Sequence, residues 1–207
     1  VSQFGLSPMK RYTIKRSAGS PSVEPVSLDE AKLWLKVDDD VTEDDDLISS
    51  LIQSAREAIE IWIARTLVTT TWGLYLDDFP PSGSPIGVPR PPLQGVSLVK
   101  YYDTDGNIQA WGSSNYHVDT VQSPGRIVRV YGQTYPDVQL GRPNAVEITF
   151  TAGYGDAGSD VPEPIRTALQ MVVADNYEHR EAQTEIKIET NDAVRRLLNP
   201  YRVIVLK

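Results

Sequence analysis

The stretch AVEITFTAGYGDAGSDVPEPI, residues 145–165, decides how this chain is read. Its first eight residues alternate β-branched or aromatic with polar side chains, the period-2 pattern of a strand with one buried face. Gly153-Tyr154-Gly155 is a turn, and an acidic loop follows it. Pro162 or Pro164 then sits at a helix start, where a missing amide hydrogen costs nothing. Ile165, Ala168, Leu169, Val172, Val173 and Tyr177 recur at helical spacing and predict a helix ending in Tyr177-Glu178-His179-Arg180-Glu181. Asn191-Asp192 caps a last short helix with Val194, Leu197 and Leu198 inside, stopped before Pro200. Val203-Ile204-Val205-Leu206 is an apolar tail that needs something to pack on.

Upstream, Ser27-Leu28-Asp29-Glu30 is a capping box, with Leu28, Ala31, Trp34 and Leu35 on one helical face as far as about Val37. Thr42-Glu43-Asp44-Asp45 reads as a second N-cap, with carboxylates where the helix dipole favours them. Positions 47, 48, 51, 52, 55, 58, 59, 62 and 63 are apolar and predict a long helix ending near Leu67. That stripe is wide enough to touch its own core and a neighbouring subunit. Lys10 to Pro25 is basic, then Ser/Pro-rich, and reads as an arm or linker. Residues 1–8 precede Met9 and are set aside as an expression scar or an upstream extension.

Between the helices the pattern changes. Thr69–Leu76, Val96–Tyr102, Ile108–Trp111, Tyr116–Val121, Ile127–Tyr131 and Val146–Thr151 read as short strands. A long Pro/Gly-rich loop from Asp78 to Pro92 and turns at Asp103–Gly106 and Ser123-Pro124-Gly125 separate them. No βαβ alternation or internal repeat is present. The expected fold is α+β and mainly helical: a core of about four helices with a small antiparallel β insertion at about 69–152, all in one domain spanning 26–207.

The chain has 207 residues, no cysteine and a formal net charge of −8. Disulfides, thiolate metal sites and cysteine nucleophiles are thereby excluded. No apolar run approaches the roughly 20 residues that span a bilayer. Nine acids against two bases lie between Val37 and Thr66, a difference of −7. From Asn191 on, Arg195, Arg196, Arg202 and Lys207 stand against Asp192, a difference of +3. An acidic chain does not wrap nucleic acid by neutralising phosphates, but like charge lets DNA slide past without sticking.

No motif meets the geometry of catalysis, a cofactor or a metal. Gly153-Tyr154-Gly155-Asp156-Ala157-Gly158 matches G-x-G-x-x-G after a strand. Its Asp156 and Asp160 put charge where a pyrophosphate would sit, and the helix starts too late. An EF-hand alignment from Asp38 places Glu43 where glycine is required and Ser49 where glutamate is required. His117 and His179 stand apart from any nucleophile motif. The carboxylates are too many for sequence to single out a hydrolytic pair. Trp34, Trp62, Trp72, Trp111, Tyr101 and Tyr102 read as core or interface anchors rather than a ligand platform.

Pro25-Val26-Ser27-Leu28-Asp29-Glu30-Ala31-Lys32, Leu35-Lys36-Val37-Asp38, Asp45-Asp46-Leu47-Ile48 and Ser54-Ala55-Arg56 are similar to the N-terminal part of a known family. Thr151-Ala152-Gly153-Tyr154-Gly155, Val161-Pro162, Ile165, Tyr177, Arg180-Glu181 and Leu198-Asn199-Pro200-Tyr201-Arg202 are similar to its C-terminal part. In this order the segments resemble the head–tail connector (adaptor) proteins of long-tailed double-stranded DNA phages and related phage-derived particles. The resemblance implies a structural virion protein at the head–tail junction, with no enzyme activity and no cofactor. It implies a ring of roughly a dozen copies below the portal protein that extends the DNA channel and docks the next neck or tail-completion protein. It leaves open a true phage or a domesticated transfer particle. On that reading Arg195, Arg196, Tyr201, Arg202, Val203, Ile204, Val205 and Leu206 form a portal-binding arm, free or differently packed before docking. Asp38, Asp39, Asp40, Glu43, Asp44, Asp45 and Asp46 face the channel. The alternatives are a monomeric α+β ligand- or sugar-binding module with the aromatics as platform, and a carboxylate-dependent hydrolase.

Overall fold

A computed structural model describes residues 12–17, 21–179 and 191–203. Lys10, Arg180-Glu181 and Ile204 to Lys207 lie outside the described residues. The chain forms two compact units, one with residues 20–69 and 153–204, the other built on Thr70–Ala152 and the N-terminal strand.

In the first unit, helix α1 spans Leu28–Leu35. Ser27 Oγ accepts from the Glu30 N–H at 3.1 Å and the Glu30 carboxylate accepts from the Ser27 N–H at 2.9 Å, so the capping box is closed from both sides. Helix α2 spans Asp45–Ile63. Thr42 is not its cap. The residue before the helix is Asp44, which makes no side-chain capping bond, and the Thr42 carbonyl instead accepts from the Asp45 N–H in the preceding turn. The helix also stops short of Leu67. Ala64 turns left-handed at φ 56°, and the Glu60 carboxylate takes the Leu67 N–H at 2.9 Å, folding the chain back. Helix α3 spans Glu163–Glu178 with Pro164 in its first turn. Helix α4 spans Asp192–Leu198, and Asn191 Oδ1 accepts from the Ala193 and Val194 N–H groups. Ile48, Ile52, Ile59 and Ile63 of α2 pack with Ile165, Leu169 and Val173 of α3 and Val194 and Leu198 of α4.

In the second unit the strands are β1 Tyr12–Arg16, β2 Thr70–Leu76, β3 Ile86–Gly87, β4 Leu93–Tyr102, β5 Ile108–Ala110, β6 Tyr116–Asp119, β7 Arg126–Arg129 and β8 Val146–Ala152. They form two antiparallel sheets rather than the one expected, with orders β1-β2-β8-β4-β5 and β3-β7-β6. β1 corrects the reading of Lys10–Pro25 as linker: Tyr12 to Arg16 pairs along β2, and Ile14 packs into the core beside Leu74. Val146, Ile148, Phe150 and Ala152 of β8 are buried and the residues between them are half-buried, as the alternation predicts. Phe79, Trp111, Tyr116 and Tyr135 form an aromatic nucleus, with Phe79 and Tyr135 stacked at 4.9 Å. The α+β class holds. The structure is 34% helical and 25% strand, so the expectation of a mainly helical fold is not borne out; β1 and β3 are strands that local pattern did not show.

Candidate functional site

The first unit carries most of the charge. Its described residues hold eighteen acids and eight bases, a difference of −10; the described residues of the second unit hold seven of each. The acids expected to act together divide by environment. Asp38, Asp39, Asp40, Glu43 and Asp46 are exposed. Asp44 and Asp45 are half-buried and hold the fold: Tyr177 Oη donates to Asp44 Oδ2 at 2.6 Å, tying α3 to the start of α2. Lys32 Nζ, itself buried, lies 2.7 Å from Asp45 Oδ1, tying α1 to the same place.

The C-terminal residues sit at the other end of α2. Nineteen residues at 1.5 Å each separate Asp45 from Ile63 by about 27 Å. There the Ile63 carbonyl accepts from the Val203 N–H at 2.9 Å, the Arg202 guanidinium lies 4.8 Å from the Trp62 ring centroid, and Arg65 donates to the Tyr201 carbonyl. Up to Val203 the end of the chain is therefore packed on α2 rather than free. Arg195 and Arg196 are exposed on α4, and Arg195 pairs with Asp192 at 2.6 Å. Ile204, Val205 and Leu206 lie outside the described residues. The unit thus has an acidic pole at the start of α2 and a basic pole at its end. The helix dipole favours the carboxylates at the first.

The apolar stripe of α2 has the two levels its width predicts. Ile48, Ile52, Ala55, Ile59 and Ile63 are buried, Leu51, Ala58 and Trp62 half-buried, and Ile61 is 69% exposed. On α1, Leu33 is exposed beside Trp34. Trp72 and Trp111 are buried, which removes them from any open aromatic platform.

Sequence reasoning missed the buried ion cluster. Arg56 is fully buried within the α2 stripe. Its Nε donates to Glu24 at 2.7 Å, Nη1 to Glu60 at 3.2 Å and Nη2 to Glu57 at 3.5 Å. Burial pushes the Glu24 carboxyl above its ordinary range, against the pull of Arg56. Arg166 of α3 donates to the Pro25 carbonyl at 3.0 Å, to Glu163 and to Glu30. The Ser27 N–H, with Arg166 beside it, holds Glu30 below the ordinary carboxylate range. These bonds pin residues 24–30 to α2 and α3. A charge spaced at i, i+4 from an acid on an otherwise apolar face is the one signal that pointed there.

The G-x-G-x-x-G segment also has a packing explanation. Residues 67–69 and 153–155 run side by side, with Tyr154 N–H donating to the Leu67 carbonyl and Thr69 N–H to the Gly155 carbonyl, both at 2.9 Å. Gly153 has φ +139°, and a Cβ there would meet Thr69 N at 2.5 Å. A Cβ on Gly155 would strike Asp160, and one on Gly158 the Glu24 carbonyl. The glycines let backbone approach backbone, and the segment builds no phosphate cradle. Among the described residues no three His, Asp or Glu side chains gather as metal ligands, and no helix is long and apolar enough to cross a membrane.

Residues 25–108 match the family model described as phage gp6-like head-tail connector protein. No curated protein matches the chain. Among solved structures, the fold is similar to a chain in the virion of a native gene transfer agent (GTA) particle, at TM-score 0.75 and 21% identity. It is also similar to chains in the neck of the empty GTA particle computed with C6 symmetry (0.76) and of the native particle computed with C12 symmetry (0.72), each 21% identical. Each match covers 94% of this chain and 97% of the other.

Proposed function

We propose that this chain, whose residues 25–108 carry the head–tail connector pattern, is a structural protein of the neck of a phage or phage-like particle. It works by assembling into a ring with other copies of itself and extends the channel through which DNA passes. The observation that carries this reading is the connector match. It runs through α1, the acidic segment and α2, which make the acidic pole of the helical unit, and on through β2 to β4. Likeness to neck chains over nearly the whole length supports it.

Within that reading the two poles have different tasks. Asp38, Asp39, Asp40, Glu43 and Asp46, all exposed, line the channel, where like charge keeps DNA moving. Asp44 and Asp45 hold the helices beneath them. The basic pole, Arg195, Arg196, Tyr201, Arg202 and Val203 with Ile204 to Leu206 beyond, docks on the portal protein. The downstream neck or tail-completion protein binds elsewhere on the ring. The half-buried flank of α2, Leu51, Ala58 and Trp62 with exposed Ile61, supplies lateral contact between copies.

Cryo-electron microscopy of the parent particle tests the whole. The chain is expected in the neck as a closed ring, with residues 38–46 toward the lumen. A particle whose neck lacks this chain overturns the function. A ring with residues 38–46 on its outer surface overturns the channel assignment alone.

A further inference from the structure

One surface of the β unit takes no part in the contacts described above. Residues 138–145 form a loop tied down at both ends. Val138 is buried, and the Gln139 N–H donates to the Tyr102 carbonyl at 3.0 Å. The Ala145 carbonyl accepts from the Tyr102 N–H at 2.9 Å, and Asp77 Oδ1 accepts from the Asn144 N–H at 2.9 Å. Between these ties the Arg142 N–H donates to the Gln139 carbonyl at 3.3 Å, closing a turn with Gly141 at φ +76°. That left-handed step suits glycine. The residue this fixed turn holds out is Leu140, 92% exposed.

Arg142 lies against the same tyrosine. Its guanidinium carbon is 3.5 Å from the Tyr102 ring centroid, and Nη1 donates to Gln139 Oε1 at 3.2 Å. The side chain makes no further bond among the described residues, so no carboxylate there meets its charge. Ile108, the register partner of Tyr102 in β5, is 61% exposed. The nearby Asp103 carboxylate is engaged in its own turn, accepting from the Asp105 and Asn107 N–H groups and from the Gln109 amide. A Cβ on Gly106 would meet the Gln139 amide at 3.5 Å, so exposed Asp105 stands at the margin of the patch. A tyrosine, an arginine and large aliphatic side chains in one place are the composition of an interface core. Because the turn is already fixed, a partner that lands on it loses little ordering entropy.

Resting on the neck role proposed above, we propose that Tyr102, Ile108, Leu140 and Arg142 form the surface on which the downstream neck or tail-completion protein docks. That protein presents a carboxylate to Nε and Nη2 of Arg142 and apolar side chains to Leu140 and Ile108. A planar carboxylate fits the edge of the guanidinium while Tyr102 covers its face. In the neck role the portal and the neighbouring copies meet the helical unit, whereas this patch lies wholly within the other unit.

Particles assembled with variant chains provide the test. Leu140→Ser and Arg142→Gln are expected to enter the neck as the unaltered chain does, read by mass spectrometry of purified particles. Tailed particles in electron micrographs should meanwhile fall about tenfold or more. Leu140 is exposed, so Leu140→Ser should keep the thermal midpoint, and it decides alone should Arg142→Gln fail to fold. Arg142→Lys keeps the charge and should retain more tails than Arg142→Gln; equal loss in the two would overturn the carboxylate. Undiminished tailing with Leu140→Ser would overturn the docking surface. Loss of the folded variant chain from the neck would assign the patch to the ring or the portal and overturn the downstream partner. Absence of the unaltered chain from the neck would overturn the neck role itself, and this assignment with it.

Discussion

Arg56→Met is the most informative perturbation of this fold. Methionine matches the aliphatic length of arginine and keeps the apolar stripe of α2, so the change removes the charge and the donors with little loss of volume. What remain are Glu60, 3% exposed, and Glu24, whose side chain is 25% exposed, both without the Arg56 guanidinium. Breaking a buried pair in this way costs about 3–5 kcal/mol, mostly from the uncompensated charge. The Glu57 contact, at 3.5 Å to a side chain that is 46% exposed, adds little. Against a total stability of about 5–15 kcal/mol, the loss is about a fifth or more. Urea unfolding followed by far-UV circular dichroism should show it as a lower midpoint. Adding Glu60→Gln keeps an acceptor for the Leu67 N–H while removing the charge that Arg56 had met, and should restore more than about 1 kcal/mol of the loss, the size of coupling that contacting residues show. A loss under about 1 kcal/mol for Arg56→Met, or a double variant no better than the single, would refute the buried cluster as the lock of the helical unit.

Gly153→Ala should cost about 1–3 kcal/mol from its positive φ alone, with more from the 2.5 Å approach to Thr69 N, measurable as a lowered thermal midpoint. Neutralising Asp38, Asp39 and Asp40 to Asn should leave the thermal midpoint within a degree or two, whereas Asp45→Asn, which breaks the Lys32 pair, should lower it visibly. Glu30 sets a pH dependence. Its folded pKa lies below the ordinary value of 4.5, so its contribution is present above that value and is lost as the pH falls through the folded one. Glu30→Gln should therefore flatten the acid side of a stability–pH curve; an unchanged acid limb would show that Ser27 and Arg166 do not hold the carboxylate as described. Removing residues 204–207 spares the Arg65, Trp62 and Ile63 contacts, so it should leave unfolding unchanged while reducing incorporation into particles.

Local chemistry carried much of the fold. The Ser27 box, the proline opening of α3, the Asn191 cap and the alternation of β8 are each set by neighbours within four residues, and each appears where the pattern puts it. The connector resemblance, drawn partly from segments between Pro25 and Arg56, is met by the family match over 25–108. What stayed hidden depends on distant partners. β1 is a strand because β2, more than fifty residues later, pairs with it from Tyr12 to Arg16. α2 ends at an alanine forced left-handed, with no glycine to announce it. Asp44 and Asp45 look like members of one solvated acidic run and Glu60 like an ordinary helix-surface acid, and only Tyr177, Lys32 and Arg56 make them structural. Conversely, an aromatic surface platform is ruled out for Trp72 and Trp111 by burial that no composition count displays.

The side-by-side run of residues 67–69 and 153–155 makes the segment 70–152 a graft with both cut ends at one address, with β1 joining it from the N-terminal side. Thr69 N–H and the Gly155 carbonyl are 2.9 Å apart, so the stem left by excising 70–152 could be closed with a very short linker and the four helices kept in order. A stem of this kind tolerates exchange of whatever it carries, because loop-closure cost depends on the gap between the ends and only weakly on the length of the cargo. Diversification of the protein would then concentrate in residues 70–152, while Gly153 and Gly155 keep the stem that holds its two ends together.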